Sequence, residues 1–137
     1  YSSQVGVIGG EVGRGNAPHP LLLGFLHFDP QRGHQLLHDL QGAIDALARR
    51  GKDLFLASSC VMCHAISGTP AGSRVGPDLT HLASRQTIAA GTLPNTRGNL
   101  TDWIVDPQGI KPGVKMPPSQ LCGPDLMALV AYLETLK

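Results

Sequence analysis

The 137-residue chain fits one domain with a loosely attached flank, and its formal charge of +1, without any run of Lys or Arg, lacks the electrostatic footprint of a nucleic-acid binder. Only 4% of the residues are aromatic, so something besides Phe, Tyr and Trp has to fill the centre of the fold. The longest apolar stretch, Leu21 to Phe28, is broken by Gly24 and His27 and falls far short of the roughly 20 residues that cross a bilayer, so no membrane-spanning segment is expected.

Residues 1 to 33 are rich in Gly and Pro without sustained periodicity and read as a mostly irregular arm. Tyr1-Ser2-Ser3-Gln4 carries neither the basic nor the apolar region of a signal peptide, so a leader is absent or already removed. The glycines from Gly6 to Gly15 have the density of a phosphate-binding loop. Such a loop should open a helix, however, and this one runs into Asn16-Ala17-Pro18-His19-Pro20. From Gln31, the residues Leu36, Leu37, Leu40, Ile44 and Leu47 recur at three- and four-residue intervals and predict an amphipathic helix. Gly51 breaks or bends it, and Leu54 and Phe55 carry the pattern to Ser58.

Asp78 to Ser84 is a short helical candidate. Asn99 is placed to cap a helix through Leu100, Trp103 and Ile104 that Pro107 ends. Gly109 to Pro118 is a loop whose prolines forbid regular helix. The last helix starts near Pro124, with Asp125 at the positive end of its dipole and Leu126, Leu129, Val130 and Leu133 as one apolar stripe. No strand pattern competes, so the fold class is all-α. Residues 1–44 form an arm, loosely ordered and then helical, and 45–137 form the domain proper.

Cys60-Val61-Met62-Cys63-His64 is a C-x-x-C-H pattern, which attaches haem: two thiols add to the vinyl groups at one porphyrin edge and the adjacent imidazole lies beneath the iron. Chance assembly from three Cys and six His yields on the order of 0.003 such patterns. A thioredoxin-type redox pair wants a βαβ setting that is not visible. Structural zinc wants a second ligand pair, for which Cys122 with a distant His is poor. A buried haem also answers the shortage of aromatic residues.

The sixth iron ligand separates electron transfer from ligand chemistry, because an open iron binds small molecules and a closed one mainly changes charge. Candidates are Met116, Met127, Met62, His81 and the arm histidines His19, His27, His34 and His38. Met62 lies inside the attachment motif and cannot reach the opposite face of the ring. Met127 reads as a core gap-filler. Met116, in the extended Pro/Gly-framed loop, is the favoured ligand, and a His/Met pair raises the reduction potential over two nitrogens.

An early helix into Cys60-x-x-Cys63-His64, then Gly76-Pro77-Asp78-Leu79, then Met116-Pro117 and a closing amphipathic helix resemble a class I cytochrome c, with several short helices around one covalently bound haem. More narrowly, Gly51 to Lys137 resembles the cytochrome c domain at the C-terminal end of subunit II in cytochrome-c-bearing haem-copper oxidases. That match rests on Ile66 to Gly72, Val75 to Arg85, Gly91 to Thr96, Leu100-x-x-Trp103-Ile104-x-Asp106-Pro107 and Ile110 to Gly113.

The resemblance implies thioethers on Cys60 and Cys63, iron ligation by His64 and Met116, and a Pro77 carbonyl accepting from the proximal imidazole. It places Arg85 and Trp103 near the haem propionates. The implied role is electron transfer, not enzymatic catalysis by the domain itself, from an electron donor protein to the copper centre of a terminal oxidase. The implied location is the periplasm or the outer face of the cytoplasmic membrane. Residues 1–50 do not resemble the copper-binding portion expected upstream, and Cys122 reads as an unpaired thiol. A free soluble electron shuttle is the alternative, with a five-coordinate haem enzyme or gas sensor behind it. Lys111 and Lys115, flanking the ligand loop, are candidates for a mildly positive docking edge.

Overall fold

The computed structural model describes residues 29–137, so the expectations for residues 1–28, including His19 and His27, lie outside the described residues. Helix α1 spans Pro30–Ala57. The Asp29 carboxylate accepts from the Gln31 N–H at 3.0 Å, and Pro30 occupies the first turn, where its missing N–H costs nothing. Residues 30–33, assigned to the irregular arm on composition, are therefore helical. Helix α2 spans Arg97–Val105, α3 Pro107–Ile110 and α4 Gly123–Leu133. Short 3-10 turns cover Ser59–Met62 and Leu82–Ser84.

Helices α1 and α4 cross, and the core is built around that crossing. Gly51 neither breaks nor bends α1; it is the point of contact. A Cβ there would collide with the Ala128 carbonyl and meet the Tyr132 Cβ at 2.7 Å, so only glycine lets the two backbones approach. One turn on, Phe55 is fully buried with its ring centroid 6.2 Å from that of Tyr132, in a tilted pair. Burial holds the Tyr132 hydroxyl above its ordinary pKa. The expected stripe Leu126, Leu129, Val130 and Leu133 is buried, and Ala128, Ala131 and Tyr132 widen it almost round the helix. Ion pairs Arg50–Asp125 and Arg97–Glu134 tie α1 and α2 to α4 at the surface, where such pairs contribute little.

Several expectations need correction. Leu36, Leu37, Leu40 and Ile44 lie on α1 as the spacing requires but are exposed; within this helix burial is confined to Gly51 and Phe55. Met127, read as core filler, is 58% exposed on the outer face of α4. The Asp78–Ser84 helix is reduced to the turn Leu82–Ser84, because the Asp78 carboxylate accepts from the Thr80 N–H and hydroxyl and holds an Asx turn. Helix α2 is capped by Thr96, whose Oγ1 accepts from the Asn99 N–H, rather than by Asn99. Pro107 ends α2 but also opens α3, with the Asp106 carboxylate accepting from the Gly109 N–H at 2.9 Å. Strands β1 (Thr87–Ile88) and β2 (Leu93–Pro94) form a two-residue antiparallel hairpin, Ile88 opposite Leu93, that the helical reading did not include. None of the described helices is long and apolar enough to cross a membrane.

Candidate functional site

Helix α1 delivers the chain directly into the attachment motif. Ser58 stops the helix, and its Oγ then accepts from the Cys60 N–H at 3.4 Å, starting the turn Ser59–Met62. The N–H groups of Cys63 and His64 both return to the Cys60 carbonyl, at 3.2 and 3.0 Å. Three residues per turn bring Cys60 and Cys63 to the same face of this segment, as two thiols adding to one edge of a planar ring require. Both cysteines are half-buried, and neither is in a disulfide.

The His64 ring is fixed by its far nitrogen. Its Nδ1 lies 2.7 Å from the Pro77 carbonyl oxygen; a carbonyl can only accept, so the imidazole carries its hydrogen on Nδ1 and keeps the Nε2 lone pair for a metal. Gly76 makes that approach possible. A Cβ at Gly76 would meet His64 Cε1 at 2.8 Å and Nδ1 at 3.0 Å, and the Gly76 N–H donates to the Cys63 carbonyl at 2.6 Å. The Pro77 segment is held in turn by the Leu79 N–H on the Ala65 carbonyl (2.8 Å) and by the Arg85 guanidinium on the Asp78 carbonyl. Arg85, expected near the propionates, is exposed and also braces the loop that carries Pro77.

Trp103, on α2, and Met116, in the loop after α3, are half-buried and pack against the core, as do Cys60, Leu79 and Leu93. Two thiols, a thioether and one imidazole with an unengaged nitrogen are donor types that suit an apolar macrocycle with a central iron. Among the other candidates, Met62 is 71% exposed, and the exposed His81 sets its Nδ1 2.9 Å from the Lys137 carbonyl. Among the described residues no group of three or more His, Cys, Asp or Glu is placed to hold a metal ion. A concavity of about 460 Å³ over Ala65–Asp78 is lined by none of Cys60, Cys63, His64 or Met116 and lies beside the site.

Two contributors, Asn95 and Gln108, went unnoticed in the sequence, and the contact made by a third, Lys111, was not foreseen. Asn95 donates from Nδ2 to the carbonyls of Leu82 (2.8 Å) and Arg85 (2.9 Å), fixing the turn between them. Gln108 bonds to three backbone groups of the Met116 loop. Lys111, expected at a docking edge, turns its Nζ to the Ala89 carbonyl at 3.1 Å. None has a signal in spacing or hydropathy, since each is a single polar residue whose partners are main-chain atoms of another segment.

Residues 48–137 match the cytochrome c family. The chain is 40% identical over 100 residues to cytochrome c oxidase subunit 2 of Alkalihalophilus pseudofirmus, covering 72% of this chain and 28% of that protein. It is 37% identical over 98 residues to the protein of the same name from Bacillus sp. (strain PS3), covering 68% and 27%. It is also 34% identical over 92 residues to cytochrome c2 iso-2 of Magnetospirillum fulvum, covering 56% of this chain and 91% of that one. The chain therefore spans little more than a quarter of the length of the oxidase subunits it matches.

Proposed function

The chain belongs to the cytochrome c family, so it is a class I cytochrome c fold that carries a covalent c-type haem on Cys60 and Cys63, and from that premise we propose that His64 and Met116 are the axial ligands of an electron-transfer centre serving a terminal oxidase. The haem supplies one-electron exchange at its iron. The protein's own residues do the rest: Cys60 and Cys63 would anchor the group, Pro77 orients the His64 imidazole and raises its basicity, and the Met116 thioether would supply the second ligand to the iron. A soft neutral sulfur favours the reduced state, and two ligands retained in both states keep the rearrangement on electron exchange small.

The observation that supports the reading is the His64 Nδ1–Pro77 contact at 2.7 Å, which leaves the other ring nitrogen free for a metal. Arg85 and Trp103 complete the proposal as groups beside the propionates, and residues 45–137 as the haem-bearing unit. The experiment is Met116→Ala in the matured protein. The expected result is loss of the weak band near 695 nm that sulfur ligation gives in this family, a lower reduction potential, and carbon monoxide binding to the reduced form at neutral pH. Unchanged spectrum and potential overturn the assignment.

The relatives' names support the destination: the proteins from Alkalihalophilus pseudofirmus and Bacillus sp. (strain PS3) are both called cytochrome c oxidase subunit 2. We place the domain on the outward side of the membrane, taking electrons from a donor protein and passing them to the oxidase copper centre. A free diffusible shuttle is the second reading, favoured by the 91% coverage of cytochrome c2 iso-2. The full reading frame distinguishes the two, since an oxidase subunit places copper ligands upstream of residue 48.

A further inference from the structure

The Met116 loop is far more regularly bonded than its proline content suggests, and one side chain accounts for most of that. Gln108 donates from Nε2 to the Val114 carbonyl and to the Met116 carbonyl (3.2 Å), and its Oε1 accepts from the Gly113 N–H at 3.2 Å. Both ends of the amide are therefore matched, donors to carbonyls and acceptor to N–H, across the four residues that end at the thioether. The post on which Gln108 stands is rigid: Pro107 is fully buried, the Asp106 carboxylate caps α3, and Gly109 passes so close to that carboxylate that a Cβ would collide with it. The loop is fixed at its ends as well, by Lys111 Nζ on the Ala89 carbonyl (3.1 Å) and the Ser119 N–H on the Ile104 carbonyl (3.0 Å). Between those anchors Gly113 takes a φ of +87°, a left-handed turn that glycine alone adopts freely.

The geometry points to Gln108 as the positioning residue of the sixth ligand: its side chain clamps residues 113 to 116 so that the Met116 sulfur is held against the iron and exogenous ligands are kept out. This rests on the assignment of Met116 as ligand. Gln108 is exposed and fills no part of the core, so its contribution lies in the loop and not in the packing. The clamp sets how often the iron–sulfur contact opens, and the apparent affinity for any small ligand that competes with Met116 scales with the open fraction.

The test compares the matured Gln108→Ala, Gln108→Glu and Met116→Ala proteins. Removal of the amide is expected to tighten carbon monoxide binding to the reduced form by about ten- to a hundredfold, from the loss of hydrogen bonds that each contribute modestly. The Gly113 amide is expected to exchange its hydrogen faster by a similar factor. Gln108→Glu keeps shape and the acceptor for Gly113 but turns a carboxylate toward two carbonyls, so it should open the site further than alanine does. A purely structural role would instead lower the unfolding midpoint and leave carbon monoxide affinity of the folded protein unchanged. If Met116→Ala binds carbon monoxide tightly while both Gln108 variants match the parent protein, the clamp is wrong and the ligand assignment stands. If Met116→Ala itself leaves spectrum and affinity as they were, the ligand assignment fails and takes the clamp with it.

Discussion

Where α1 meets α4 the centre of the contact is apolar: Gly51, Phe55, Ala128, Leu129 and Tyr132 are buried and bound by shape. Around Met116 and His64 the chain is mostly loop, half-exposed, and bound by directed hydrogen bonds from Gln108, Lys111, Arg85 and Asn95 to main-chain carbonyls. The first region resists unfolding and says little about where a ligand atom sits; the second fixes ligand atoms and adds little burial. Stability and ligand placement should therefore respond to different mutations, and that separation can be attacked from either side.

The largest expected effect is in the crossing. Phe55→Ala should cost about 3–5 kcal/mol of unfolding free energy, the usual range for emptying a fully buried aromatic site. Denaturant unfolding of the matured protein, followed by far-UV circular dichroism, measures it. At temperatures where the variant is still folded, carbon monoxide affinity should stay near that of the parent protein. A variant that bound carbon monoxide readily while fully folded would show that the crossing also sets ligand placement, and the two regions would not be separable.

On the other side, Lys111→Met removes the tie between the ligand loop and the Ala89 carbonyl, which also accepts the Thr92 hydroxyl at 2.8 Å. About 1.5 kcal/mol of stability is expected to go, the lower end for a hydrogen bond from a charged group because this one is only part-buried. The same contact reassigns the docking role that the pair of lysines suggested. With the Lys111 ammonium turned inward, the exposed Lys115 is the lysine of the pair left for the proposed steering. Lys115→Glu should slow reduction by a negatively charged donor at low ionic strength and lose its effect at high salt. Equal sensitivity at Lys111 and Lys115 in that assay would restore the paired reading.

The sequence carried the apolar half of this comparison better than the polar half, for a physical reason. Period and composition report burial, so α1, α4 and the stripe Leu126–Leu133 were readable, as were Cys60, Cys63 and His64 through a pattern that chance seldom assembles. The same signal overreached at Leu36, Leu37, Leu40 and Ile44, where period identified a helix but not a covering partner. Contacts of Gln108 and Lys111 depend on main-chain atoms brought together by the fold, and no spacing encodes them. Capping was readable in kind but missed in position. Thr96 and Asn99 are both good caps, and the choice fell to Thr96 because it lies where the chain is still extended, with φ −118° and ψ 158°. Thr96→Ala should accordingly cost about 1 kcal/mol by the same denaturant assay, and a smaller loss than from Asn99→Ala would return the cap to Asn99.

The smallest effect joins the two regions through pH. The Asp78 carboxyl is held below its ordinary pKa, first by the hydrogen bonds from the Thr80 hydroxyl and N–H, with the charges of Arg85 and His81 adding. Folding therefore favours the ionised form, so this Asx turn contributes stability above the ordinary carboxylate range and loses it as pH falls through the folded-state pKa. Asp78 follows Pro77 directly, and the lost turn loosens the carbonyl that holds His64 Nδ1. Asp78→Asn keeps an acceptor for Thr80 but carries no charge and cannot titrate, so its denaturation midpoint should lie below that of the parent protein at neutral pH and converge on it as the pH falls through the carboxylate range, with the shallower acid limb. Other carboxylates titrate alike in the two proteins and cancel in the difference. Parallel acid limbs would mean that the charge of Asp78 stabilises neither the fold nor the seat of His64, and that Arg85 on the Asp78 carbonyl and the Gly76 and Leu79 N–H groups hold the Pro77 segment without it.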